Sequence, residues 1–348
     1  MHTPRTAGSR TLATAPTVLI GLLVAIVLAV AGCSPEADTK KASSEPKVAI
    51  LLGGLANDGG FNQYGADAVH NLEKAHKITA QVRESVTTDS DAQAALRQYA
   101  SQGYDLVIGW GLDFANSVFT VAKEFPNAHF LATGSADILA KTTSNVETWT
   151  YASDQQGYLL GWVAGKAGLS PYGVVDGELA PFNEASYKAF AVGFKATNPT
   201  AIALKPVFTG SWEDPSLANQ ATKAQIASGA KLIVTGAEGY TPGVIAAAKA
   251  AGVATIGASA KSSSDAASVN IGYVKLDFTP ILAEAVEHVS AGKFGKHGYT
   301  STIANHGLIF ADYHKVAAAP GLPDDLEAQT QQLAADLAAG RVTIPPIS

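Results

Sequence analysis

Phe61, Trp110, Phe114 and Trp212 are the side chains whose type and placement suggest chemistry, because each falls at the end of an apolar strand-like run or just beyond it. That chemistry is stacking. Rings on two facing walls can sandwich a planar solute, at about 1 to 3 kcal/mol per ring. Taken singly, each ring serves equally well as a lid on its own core, since aromatic residues are often buried. The loops that surround them are glycine-rich and polar: Gly53 to Asn62, Gly109 to Phe114, Thr133 to Ala136, Thr209 to Asp214, Gly236 to Thr241 and Gly257 to Lys261.

Covalent catalysis finds no comparable support. The chain has no G-x-S-x-G elbow, no H-E-x-x-H and no G-x-x-x-x-G-K-[ST]; Gly161 to Lys166 has the wrong spacing for the last and is followed by Ala167. Its eight histidines are scattered, and His70 and His76 do not share a helical face as metal ligands would. Asp324 and Asp325 precede the last helical stretch, where negative charge is favourable without any catalytic role. A binding protein without catalytic residues, metal or cofactor is expected.

The single cysteine offers a different reaction. Leu28-Ala29-Val30-Ala31-Gly32-Cys33 follows a basic stretch with Arg5 and Arg10 and an apolar run from Val18 to Val30, the pattern of a lipoprotein signal cleaved ahead of a lipidated cysteine. About 13 apolar residues span only about 20 Å, against a bilayer core of roughly 30 Å. The expectation is a signal peptide over residues 1–32, lipid on Cys33, and a polar tether over 33–46 that holds the protein to the outer face of a cytoplasmic membrane.

Positioning these residues requires a large core, since a lipidated Cys33 leaves no thiol for a disulfide. Without residues 1–32 the chain carries 22 basic against 30 acidic residues, and no basic cluster, which argues against nucleic acid as a partner. From Lys47 onward short apolar runs alternate with amphipathic stretches. Val48-Ala49-Ile50-Leu51-Leu52, Ile78 to Val82, Asp105 to Gly109 and His129 to Ala132 read as strands, with helices from near Phe61, over Asp91 to Ser101 and over Asn116 to Glu124. Such alternation gives a parallel sheet covered on both faces. The second half repeats the pattern: Gly103 to Ile108 matches Gly229 to Val234, and Ala128 to Thr133 matches Ala254 to Ser259, both 126 residues on. The expected fold class is α/β, two doubly wound parallel-sheet lobes, with lobe 1 over 47–170, lobe 2 over 171–272, and a crossover and C-terminal helix over 273–348, part of which returns to lobe 1. Ligands of such sheets bind outside the carboxyl ends of strands, here between the lobes.

Several ordered words carry a family resemblance. Val48 to Gly54 followed by Asp58-Gly59-Gly60-Phe61-Asn62-Gln63, then Gln102 to Gly109, Gln156-Gly157-Tyr158-Leu159-Leu160-Gly161 and Gly210-Ser211-Trp212-Glu213-Asp214-Pro215, resemble the basic membrane protein (Bmp) family over about residues 47 to 348. Its members are lipid-anchored, nucleoside-type substrate-binding proteins of ABC transporters with the type I periplasmic binding protein fold. The resemblance implies a nucleobase between Phe61 and Trp212, a hydrogen bond from Asn62 to the base, Lys275 on the sugar side and Gly236, Ala237 and Glu238 in a ligand loop. Trp110, Thr133 and Ser259 complete the expected site. It also implies a permease and an ATPase as partners, and a monomer tethered to the membrane.

Two departures bear on the ligand. Where nucleoside-binding members carry an aspartate for the ribose hydroxyls, Ile256-Gly257 leads into Ala258-Ser259-Ala260-Lys261, and the acidic residue that often ends the first strand is replaced by Gly53-Gly54. A serine cannot accept two hydroxyl protons as a carboxylate does. A purine nucleoside or a free base are therefore both expected, separated by less than about tenfold in affinity. A sugar or other small polar solute, or a solute-sensing ectodomain paired with a membrane receptor, are the alternatives.

Overall fold

The computed structural model describes residues 45–259 and 264–347; Cys33 and the expected signal over residues 1–32, and Ala260 with Lys261, lie outside the described residues. Lobe 1 runs β1 (Lys47–Leu52), α1 (Phe61–Lys74), β2 (Thr79–Arg83), α2 (Asp89–Ser101), β3 (Leu106–Trp110), α3 (Ala115–Ala122), β4 (Phe130–Thr133) and β5 (Val146–Tyr151). Next come α4 (Ser153–Lys166), β6 (Tyr172–Asp176), α5 (Pro181–Thr197), β7 (Val207–Phe208) and α6 (Pro215–Ala227), followed by β8 (Leu232–Val234), α7 (Thr241–Ala251), β9 (Ala254–Ile256) and α8 (Ser264–Val269). The chain ends with β10 (Tyr273–Leu276), α9 (Thr279–Ser290), β11 (Gly298–Ser301), β12 (Leu308–Ala311) and α10 (Leu326–Ala338).

Continuous apolar runs become strands buried on both faces. Val48 to Leu52 of β1 have no solvent exposure, as central strands of a helix-covered sheet require. The first sheet has the order β11-β5-β4-β3-β1-β2 and the second β7-β6-β8-β9, with every pair parallel. Each order reverses once, between β1 and β3 in one lobe and between β6 and β8 in the other. Helix starts carry their own signals: Thr88 caps α2 by accepting from the Asp91 N–H at 3.1 Å, and Asp214 caps α6 by accepting from Ser216 at 2.8 Å and Leu217 at 3.2 Å. Prolines open α5, α6, α7 and α9, where the lost N–H had no intrahelical partner.

The lobes are joined by three passages: Tyr151–Ala152 after β5, and the antiparallel pair β10 and β12. The first passage precedes α4, which lies before the boundary expected at residue 170. α4 packs along α5, because Gly157, Gly161 and Gly165 line one face of α4 at four-residue spacing and take the backbone of Ser186, Phe190 and Phe194 against them. A Cβ at any of the three would overlap α5. Gly161 and Gly165, whose spacing does not fit a phosphate loop, serve this helix contact. After β10 the chain returns to lobe 1 through α9, which packs on α1, and β11; α10 then lies on α4.

Candidate ligand-binding site

Loops at both sheet reversals meet across one cleft. In open α/β sheets such a switch point leaves a crevice outside the strand ends, and two of them face each other here. Phe61 and Trp110 come from the β1 and β3 ends, Asp176 and Glu238 from the β6 and β8 ends, and Trp212 from the loop between β7 and α6.

The lobe 1 wall is an aromatic stack. Phe61, half-buried at the start of α1, lies 4.7 Å from Trp110 ring to ring and 22° from parallel; Trp110 lies 4.7 Å from Trp149. The Trp110 Nε1–H donates to the Phe61 carbonyl at 2.8 Å, so the buried indole holds both the ring and the backbone of Phe61. Gly65 allows this, since a Cβ there would press on the indole. Asp58 satisfies the helix end: it accepts from the backbone N–H groups of Gly60 at 2.8 Å, Asn62 at 3.2 Å and Gln63 at 3.1 Å.

Opposite stand Trp212 and Phe182, 5.9 Å apart and 25° from parallel, with Gly177 leaving room beneath the indole. Tyr151, at the passage between lobes, meets Phe182 edge-on at 5.8 Å. Below them Asp176 is 4 % exposed and accepts from the Tyr240 hydroxyl at 2.5 Å, the Gly177 N–H at 2.8 Å, Asn183 Nδ2 at 3.2 Å and the Tyr187 hydroxyl. Burial pushes its carboxyl up, and those hydrogen bonds oppose the shift.

Between the walls lies a cavity of about 380 Å³, with an adjoining space of about 70 Å³; Phe61, Tyr151, Phe182, Trp212 and Glu238 line both. The larger volume suits a small organic molecule. The lobes also touch directly: the Phe61 N–H donates to the Ala237 carbonyl at 2.9 Å, and Asn62 Nδ2 donates to Glu213 at 3.4 Å and to Asp58 at 3.0 Å. Burial pushes the Glu238 carboxyl well above the usual range, with Asp58, Asp176 and Glu213 adding like charge; Glu213 is raised by burial and Asp58, offset by Asn62.

Of the expected residues, Phe61, Asn62, Trp110, Thr133, Trp212 and Glu238 line the larger cavity and Gly236 the smaller. Their roles differ. The Asn62 amide is held between two carboxylates, and the Thr133 hydroxyl donates to the Gly109 carbonyl at 3.0 Å. Phe114 is 3 % exposed and finishes the lobe 1 core over Gly109, though its edge reaches the cavity. Two placements differ from expectation. Lys275 lines neither cavity, because its neighbours Val274 and Leu276 face the smaller one and the pleat of β10 turns Lys275 away. Ser259 is 4 % exposed and is hydrogen-bonded to the Tyr273 hydroxyl outside the cavity lining. Sequence reasoning missed Tyr151, Phe182 and Asp176, although the strand-end rule applied to β5 and β6 points to all three.

The profile of a family described as "ABC transporter substrate-binding protein PnrA-like" (Bmp) matches residues 45–303. An ABC transporter solute-binding protein from Conexibacter woesei superposes with a TM-score of 0.72 at 36% identity, over 86% of this chain and 98% of that one. The nucleoside-binding protein BmpA of Lactococcus lactis is 25% identical over 66% of each chain. The transcriptional activator protein Med of Bacillus subtilis is 24% identical over 68% of this chain and 71% of its own. With a family match over most of its length, two parallel-sheet lobes and an aromatic cleft at their switch points, the chain belongs to the Bmp family of PnrA-like ABC transporter substrate-binding proteins.

Proposed function

We propose that this substrate-binding protein captures a purine nucleoside or free purine base between Phe61 and Trp212 and delivers it to an ABC permease while tethered by lipid on Cys33. The observation that carries the reading is that an aromatic residue from each lobe lines one cavity. A nucleoside-binding relative, BmpA, supports the choice of ligand. ABC substrate-binding proteins work outside the cytoplasmic membrane, and no helix among the described residues is long and apolar enough to cross one.

A thermal-shift panel of purine nucleosides, purine bases, sugars and amino acids tests it, since a ligand in excess of its dissociation constant raises the melting temperature by mass action. Phe61→Ala and Trp212→Ala should each weaken purine binding by about 1 to 3 kcal/mol, roughly tenfold to a hundredfold, with a smaller effect on melting temperature. Near-normal affinity in both variants, or a shift with sugars alone, would remove the stacked purine. Cys33→Ser should release the protein from membranes without unfolding it; a variant that resists alkaline washing would point to an uncleaved apolar anchor instead. The likeness to Med supports a second reading, solute sensing without import. Uptake of the bound solute in vesicles carrying the partner ABC permease and ATPase separates the two.

A further inference from the structure

Among the described residues, the charge lining the cleft is of one sign. Glu213 and Glu238 line the larger cavity and Asp176 the smaller, and the described residues lining either include no lysine, arginine or histidine. Asp58 adds to them from the opposite lobe, since the Asn62 amide bridges Asp58 and Glu213. Closing the lobes brings like charges together across a shrinking aqueous gap, which costs free energy unless a positive group enters between them.

The hydrogen bonds point the same way. Asp176 is filled by four donors, and the hydroxyls of Tyr187, Tyr240 and Thr133 are spent within the protein. By contrast, the Glu238 carboxylate accepts no hydrogen bond from the described residues, and Glu213 accepts only from Asn62 at 3.4 Å. The cleft thus offers ring faces and two carboxylates whose acceptor capacity is largely unfilled by the described residues. Aromatic faces beside partly desolvated carboxylates attract cations, by ring quadrupole and by Coulomb attraction together.

We propose, building on the stacked-ring reading above, that the ligand is a planar organic cation whose positive charge is received by Glu238 and Glu213 between the rings of Phe61 and Trp212. Anionic solutes, nucleotides included, are excluded by the same carboxylates. Neutral purines are admitted by stacking and held less tightly.

The test pairs ligands of one shape and two charges. 1-Methyladenosine is cationic at neutral pH, and 1-methylinosine carries the same methyl group on a neutral ring. Calorimetric titration of the full-length protein should show the cation binding at least about tenfold tighter. Glu238→Gln should narrow that ratio to below about threefold, and in the unaltered protein the ratio should fall as salt rises from roughly 0.01 M to 1 M. A ratio under tenfold, with both compounds binding, overturns the charge inference and leaves the stacked purine standing. Binding of N-methylnicotinamide, a planar cation that is not a purine, with no heat from either nucleoside supports the cation and overturns the purine. Adenosine monophosphate binding as well as adenosine, or no heat from any probe, overturns the inference.

Discussion

Glu238 carries the cleft's charge balance in a single side chain. Its folded-state carboxyl titrates well above the usual range, because burial and the carboxylates of Asp58, Asp176 and Glu213 disfavour its charge. The folded chain therefore releases this proton at a higher pH than the unfolded chain, whose ordinary value is about 4.3. Stability contributed by this group falls as pH rises from that value through the folded-state one, and the cost is present at neutral pH. Glu238→Gln should raise the ligand-free melting temperature at pH 7 by about 1 to 3 °C, and the advantage should shrink toward pH 4. A variant no more stable than the parent at pH 7 would show that the charge is compensated. Phe61 and Trp212 were legible in sequence because rings at strand ends are out of place in a tapering core. The direction of Lys275 is not legible in the same way, because it is decided by the pleat that points Val274 and Leu276 at the smaller cavity.

At the level of elements, the doubly wound plan was legible because the apolar runs are as long as buried strands and the intervening stretches repeat at helical period. The internal repeat also corresponds to structure: α3 begins at Ala115 and α7 at Thr241, 126 residues apart, each led by a buried aromatic, Phe114 and Tyr240. Pairing register does not follow the repeat. Val107 pairs with Phe130, whereas Ile233 pairs with Thr255, one residue short of the 126-residue equivalent. Beyond β9, Gly257 has a φ of 106° and lies directly under the Thr235 carbonyl, a turn that its counterpart Leu131, inside β4, does not make. Matching words thus specify strand, helix and strand, and local turn geometry specifies register. The packing partner of α4 is likewise not written in its apolar pattern. Nothing in Ser153 to Lys166 says which sheet it covers until its three glycines are matched with the backbone of α5.

For the whole molecule, the question is what allows two lobes with like-charged faces to shut. The answer lies in backbone. The Phe61 N–H at the start of α1 is paired with the Ala237 carbonyl of the other lobe, and Gly60 makes the approach possible because a Cβ there would overlap that carbonyl. Gly60 is outside the stacking machinery, and the three atoms nearest a Cβ there all belong to Ala237 and Glu238 of the other lobe, so the overlap is made across the closed cleft. Gly60→Ala should therefore keep the melting temperature of the ligand-free protein within about 2 °C while weakening ligand binding about tenfold or more, since apparent affinity falls with the fraction of molecules able to close. Small-angle scattering distinguishes this from damage to the site itself. Saturating ligand should reduce the radius of gyration of the parent protein, and the variant, once saturated at higher concentration, should stay expanded. A variant that contracts and binds like the parent would show that the lobes close without the Phe61–Ala237 contact, and the closing force would then rest on the ligand between the rings alone.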